Sequence, residues 1–262
     1  LFAQITLKPD TVLGLATGST PVETYRKLTE LYRAGRLDCS HITTVNLDEY
    51  LGLSAGHPQS YRSFMRKNLF DGIGLSADRT FFPEIPERLS DCRKNIPPSI
   101  GGIRNETNQD IETALAETCR QYDELLRSLG GTDLQLLGIG RNGHIGFNEP
   151  GDTFIRNTHT VMLAENTRQA NARFFSSIDD VPTRACTMGI GGIFSAKKIL
   201  LLANGAQKAQ ALQAAFCGPV TPQVPASILQ LHPDVTVIAD EAAGQLLADG
   251  LSARRKPTFA VL

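Results

Sequence analysis

An excess of charge of either sign is missing from this chain: 26 Lys and Arg stand against 27 Asp and Glu, a formal net charge of −1 over 262 residues. That balance gives no electrostatic reason to expect nucleic acid or an anionic membrane as a partner. Long apolar runs are missing too. The longest aliphatic stretch, Ile199 to Ala203, is far too short to span a bilayer. The chain opens at Leu1 with no basic-then-apolar leader, and its natural N-terminus is expected to lie upstream. Cysteine is sparse. Cys39, Cys92, Cys119, Cys186 and Cys217 are odd in number and widely spaced, without a C-x-x-C pair. That pattern is neither a disulfide scaffold nor a zinc site; it fits small apolar fillers in a reducing cytoplasm. No repeat at solenoid periods is visible.

What is present is an ordinary globular composition, 41% hydrophobic and 20% charged, enough for a real core and against wholesale disorder. Short β-branched runs alternate with helical patterns. Thr11–Leu15, Thr43–Leu47, Leu134–Ile139, Thr160–Leu163, Ala185–Ile190, Lys198–Leu202 and Val235–Ile238 read as strands. Val22, Tyr25, Leu28 and Tyr32 recur at helical spacing before Gly35. Ile111, Leu115, Cys119, Tyr122, Leu126 and Leu129 form a longer stripe ended by Gly130. Ala206–Phe216 and Glu241–Leu247 are also helical. Near-continuous apolar strands between helices predict an α/β fold: one doubly wound, Rossmann-like domain over residues 1–262, with a mostly parallel sheet of about seven strands. Glu84–Asp110, Pro-rich and poor in apolar residues, reads as a surface excursion.

Ligands of such sheets bind beyond the carboxyl ends of the strands. Four segments there are chemically loaded. Ala16-Thr17-Gly18-Ser19-Thr20-Pro21 joins a strand to a helix. Thr20 and Glu23 have capping-box spacing, Pro21 suits the first helical position, and the free N–H groups suit an anion. No Gly-Lys-Ser/Thr follows, which argues against a nucleoside triphosphatase. Asp48-Glu49-Tyr50 reads either as surface charge or as a carboxylate general base. The segment from Gly138 to Pro150 matches G-x-G-x-x-G at Gly138, Gly140 and Gly143, but Gly146, Pro150 and Gly151 forbid the helix that a dinucleotide site requires. What remains is His144, with Asn142 two residues before and Glu149 five after, a proton shuttle and its partners. A metal is not expected, because further spaced ligands are absent. Arg173 and Lys208 read either as solvated charges or as phosphate partners.

Six segments carry a resemblance: GLATGSTP (Gly14–Pro21), TTVNLDEYLGL (Thr43–Leu53), HPQSYRSFM (His57–Met65), LLGIGRNGHIGFNEPG (Leu136–Gly151), TRQANARFF (Thr167–Phe175) and LQLHPDVTVIAD (Leu229–Asp240). Together they resemble the glucosamine-6-phosphate deaminase family over nearly the whole chain apart from Glu84–Asp110. The related 6-phosphogluconolactonases carry DER- and GHTASLFP-like segments instead. The resemblance implies conversion of glucosamine 6-phosphate and water to fructose 6-phosphate and ammonia, without cofactor or metal. The family's ring-opening group falls on His144, supported by Glu149 and Asn142, and its enolisation base on Asp48. Its phosphate ligands fall on Thr17, Gly18, Ser19, Thr20, Arg173 and Lys208. Some members carry aspartate at the Asn142 position; an amide there suits holding His144 or a substrate hydroxyl.

Allosteric members answer to N-acetylglucosamine 6-phosphate through a serine, an arginine and a lysine after the FNEP segment, plus a longer C-terminal tail. Asp152, His159 and Val161 align there, and the chain stops at Leu262. A monomer or small homo-oligomer is therefore expected, not an allosteric hexamer, with a small-molecule substrate and neither nucleic acid nor membrane as partner. The alternatives are a 6-phosphogluconolactonase-like hydrolase and a non-catalytic sugar-phosphate sensor of the same fold.

Overall fold

The computed structural model describes residues 1–83 and 108–252. Nine strands occur among the described residues: β1 (Val12–Leu15), β2 (Thr43–Asn46), β3 (Asp48–Tyr50), β4 (Thr80–Phe81), β5 (Leu134–Leu137), β6 (His159–Met162), β7 (Arg184–Thr187), β8 (Ile199–Ala203) and β9 (Val235–Ala239). Six of them form a parallel sheet in the order β4-β2-β1-β5-β8-β9. The chain moves outward from β1 through β2 to β4, then returns to β5 and moves outward the other way. β1 and β5 thus flank a switch point, where loops leaving in opposite directions open a crevice.

Side-chain alternation covers both faces. Leu13, Leu15, Leu134 and Leu136 enter one core with Tyr25, Leu28, Met65 and Leu69, from the helices beginning at Val22 and Tyr61 and the π-helical segment Arg66–Phe70 that follows the latter. Val45, Leu137, Ile199 and Leu201 enter the other with Tyr122, Leu126, Ile193, Leu212 and Leu247. Those five come from helices Asn108–Ser128, Ile190–Phe194, Ala209–Cys217 and Glu241–Ser252. At the end of the sheet away from the crevice, buried Asp133 accepts from Val12 N (2.8 Å) and pairs with Lys197 (2.7 Å) and Lys8 (2.9 Å). Burial works against its ionised form. The hydrogen bonds outweigh it and hold the carboxyl well below the usual carboxylate range.

The sheet has six strands, not about seven. Thr160–Leu163 and Ala185–Ile190 do not join it. Their strands β6 and β7, with β3, make a separate antiparallel sheet in the order β3-β7-β6. β6 is only half-buried, with Met162 exposed, which suits a sheet packed on one face. β4 was not expected from the sequence; two residues are too few to show a pattern. The helix with the Ile111 stripe starts at Asn108, so the expected excursion ends before it, and residues 84–107 with Cys92 lie outside the described residues. Among the described residues no helix is long and apolar enough to cross a membrane.

Candidate active site

The loops after β1, β2, β5 and β8 meet at the switch point. After β1 the chain turns at Gly18, whose φ of +95° a residue with a β-carbon adopts only under strain. The expected capping box does not form. The helix starts at Val22 with Pro21 as its N-cap and no side-chain cap. The Thr20 hydroxyl instead donates to Asn204 Oδ1 (2.7 Å), tying this loop to the one after β8. Arg173, in the 3₁₀ turn Ala172–Phe174, donates to Ser19 Oγ (3.4 Å). Lys208 is half-buried and donates to the Ile139 carbonyl (2.5 Å). Burial pushes its ammonium down, and Arg141 and Arg173 add to the push. Lys208 thus feels two further cations, Arg141 and Arg173, the latter against the Ser19 hydroxyl, a repulsion that a phosphate dianion would relieve.

After β5, residues 138–150 make turns and no helix, so the glycine match opens no dinucleotide site. Gly140 N–H donates to the His144 carbonyl (2.9 Å), and the imidazole lies against Gly140 where a β-carbon would overlap it. His144 Nδ1 stands 3.3 Å from Glu149 Oε2. Asn142 Nδ2 donates to that same oxygen (2.7 Å), and the Thr167 hydroxyl donates to Oε1 (2.6 Å). Burial would raise the Glu149 carboxyl. His144, Thr167 and Asn142 together outweigh burial and hold it at about 2. Glu149 is thus a fixed anion beside an imidazole.

Asp48 opens β3 directly beyond the carboxyl end of β2. It is buried, and so is Glu49, so the surface-charge reading of the pair fails. A β-carbon built on Gly146 would stand 3.5 Å from Asp48 Oδ2 and 3.0 Å from Thr187 Oγ1. The carboxyl therefore borders the loop that carries His144. Burial, reinforced by the charge of Glu49, pushes Asp48 up to about 8. Glu49 turns the other way. It accepts from the backbone of Tyr50 (2.9 Å), Tyr61 (2.8 Å) and Arg62 (3.0 Å), the last two at the start of helix Tyr61–Met65.

The residues singled out from the sequence thus gather at one end of the sheet. Several neighbours escaped it. Arg141 completes the cation cluster, Thr167 holds Glu149, and Asn204 holds Thr20. Tyr50, Tyr61 and Phe147 cluster with ring centroids 4.6 to 5.9 Å apart, and the Tyr61 hydroxyl donates to the Tyr50 hydroxyl (3.2 Å). Their signal was position: Arg141, Phe147 and Thr167 lie inside the segments already quoted. Among the described residues no group of three or more His, Cys, Asp or Glu is arranged to hold a metal ion.

Residues 3–238 match the family model described as glucosamine-6-phosphate isomerases/6-phosphogluconolactonase. A glucosamine-6-phosphate deaminase of Lachnoclostridium phytofermentans is 52% identical over 236 residues, 90% of this chain and 89% of the relative. One of Bacillus pumilus is 50% identical over 242 residues, 92% and 90% of the two chains. Among solved structures, a monomeric glucosamine-6-phosphate deaminase superposes with a TM-score of 0.79 at 48% identity, covering 93% of this chain and 90% of its own. A 6-phosphogluconolactonase of Thermotoga maritima, 17% identical, shares the fold with a TM-score of 0.62 over 90% and 88% of the two chains.

Proposed function

This chain belongs to the glucosamine-6-phosphate isomerase/6-phosphogluconolactonase family, and from that premise we propose that it is a glucosamine-6-phosphate deaminase, converting glucosamine 6-phosphate and water to fructose 6-phosphate and ammonia. One observation carries the choice over a lactonase: two separate proton-transfer groups, Asp48 and the His144–Glu149 pair, border the same loop. Ester hydrolysis needs one shuttle for its water. Deamination of a cyclic aminosugar needs one to open the ring and another to move a carbon-bound proton. A sugar-phosphate sensor needs neither.

The cyclic sugar has no acidic C–H. His144, held by the Glu149 carboxylate, takes the anomeric hydroxyl proton and returns it to the ring oxygen. In the open chain, the aldehyde and the neighbouring ammonium acidify the C2 proton. Asp48 carries that proton from C2 to C1 through an enol-type intermediate. The resulting C2 iminium adds water and expels ammonia. Asp48 is largely a neutral acid below its raised pKa. A substrate ammonium beside it favours the carboxylate, so the substrate itself helps to generate the base. The phosphate, held by Ser19, Thr20, Arg173 and Lys208, lies away from the reacting carbons, and its binding energy aligns them. The direct test is incubation with glucosamine 6-phosphate and simultaneous assay of fructose 6-phosphate and ammonia. Equal amounts of both are expected. Turnover of 6-phosphogluconolactone alone would favour the lactonase.

Three further outcomes follow from the same groups. The base form of Asp48 grows as pH rises towards 8, so kcat/KM should rise through neutral pH. Glu49→Gln removes one upward push and should shift that rising limb to lower pH; a limb that stays put belongs to another group. Lys208→Ala removes a charge-assisted contact of roughly 1.5–3 kcal/mol. KM should rise by about tenfold or more with kcat changed far less, and a loss confined to kcat would take Lys208 out of phosphate binding. Exposed Asp152, at the aligned activator position, would repel a phosphate. Rate curves should stay hyperbolic with or without N-acetylglucosamine 6-phosphate, and sigmoidal kinetics relieved by that sugar would contradict this.

A further inference from the structure

We propose that Cys119 and Cys186 form a reversible disulfide that lowers turnover, an oxidation site built behind the acidic pair Asp48–Glu49. The two sulfurs lie 3.4 Å apart. Cys119 belongs to helix Asn108–Ser128. Cys186 lies in β7, the central strand of the antiparallel sheet, opposite Glu49 on one side and Thr160 on the other. Both side chains are buried, Cys186 wholly and Cys119 nearly so, but Cys119 borders a cleft of about 700 Å³ that Arg120, Asp123, Arg156 and His159 also line. A small polar oxidant therefore meets Cys119 first. The contact between the two sulfurs favours a thiolate at Cys119, while that contact and burial push Cys186 up. By contrast, burial drives the Cys39 thiol up to about 11.

The chemistry balances with a peroxide as oxidant. The Cys119 thiolate attacks one peroxide oxygen; an S–O bond forms, the O–O bond breaks, and water leaves after protonation. The Cys186 sulfur then attacks the sulfenic sulfur; an S–S bond forms, the S–O bond breaks, and the departing water takes the Cys186 proton. Two thiols and one peroxide give one disulfide and two waters. A dithiol reverses the change by exchange.

Bond formation brings the sulfurs from 3.4 Å to about 2.0 Å. Interior packing transmits such a displacement instead of absorbing it. β7 carries the strain to the site. Thr187 follows Cys186, pairs with Asp48, and accepts from Phe147 N (3.0 Å). Met188 N–H donates to the Leu47 carbonyl (2.6 Å). Both segments that hold the proton-transfer groups are therefore fastened to the strand that moves. A displacement near 1 Å at such a site costs up to about 10²-fold in rate.

The test treats the whole protein with hydrogen peroxide and follows two readouts. Mass spectrometry of unreduced peptides detects the Cys119–Cys186 cross-link, and steady-state assay on glucosamine 6-phosphate gives kcat before oxidation, after it, and after dithiothreitol. The cross-link should accumulate in step with a fall in kcat of about tenfold or more, and dithiothreitol should reverse both. Cys119→Ala and Cys186→Ala should each keep their activity under peroxide. Absence of the cross-link, a cross-link with unchanged kcat, or equal inactivation of Cys119→Ala would each overturn the proposal. If neither variant folds, the parallel between cross-link and kcat in the unaltered chain decides. The cross-link is read without substrate, so its failure is distinguishable from failure of the deaminase assignment.

Discussion

Asp48→Asn should lower kcat by about 10²–10⁴-fold, the usual worth of one positioned proton transfer, while the sugar phosphate still binds within a few fold. The exchange keeps the shape of a buried side chain and removes only its ability to take a proton. Fold stability should survive. Burial and Glu49 raise the folded-state pKa to about 8, far above the ordinary 3.8. The stability tied to this group is therefore fully present below the unfolded value and is lost as pH climbs through 8, where a buried charge forms. Asparagine never ionises, so the variant should gain on the parent as pH rises from about 4 to 8 and hold that margin above it. Lost turnover with retained binding and an intact melting curve is the expected set. A kcat equal to that of the parent would remove Asp48 from the proton path.

His144→Gln is the second large effect. Glutamine is polar and of similar reach but cannot carry a proton to and from the ring oxygen. The cyclic substrate should lose about 10²–10⁴-fold in kcat/KM. An analogue methylated at O5, whose six-membered ring cannot close, should lose far less. That difference separates ring opening from the later steps, since Asp48→Asn should slow both compounds alike. An equal loss on both compounds from His144→Gln would argue against a ring-opening role.

Much of the framework was legible because burial writes itself into composition. β1, β5 and β8 are apolar runs packed between two layers, and the stripe from Ile111 to Leu126 repeats at the helical period because one side of that helix is covered. The antiparallel sheet was not legible. Asp48–Tyr50 pairs with Arg184–Thr187, far along the chain, and three-residue strands show no alternation. The capping box at Thr20 failed for a similar reason. Local spacing pointed to Glu23, but Asn204, distant in sequence and adjacent in space, took the hydroxyl. Glu49 looked like surface charge because the helix start that it caps lies twelve residues on. Cys119 and Cys186 looked like fillers because 67 residues separate them. Residue types at strand ends suggested the chemistry, and the contacts that tune those groups came only with the fold.

The mechanism depends on convergence: one anchored aminosugar touches the Gly18 loop with its phosphate and both proton-transfer groups with its carbons. A crystal structure with an open-chain amino-alcohol 6-phosphate, which lacks the carbonyl and cannot react, measures this directly. The phosphate should sit among Ser19, Thr20, Arg173 and Lys208, with the C1–C2 edge facing the Asp48 carboxyl and the O5 side facing His144. A phosphate bound elsewhere, or a carbon chain that reaches only one of Asp48 and His144, would contradict the mechanism.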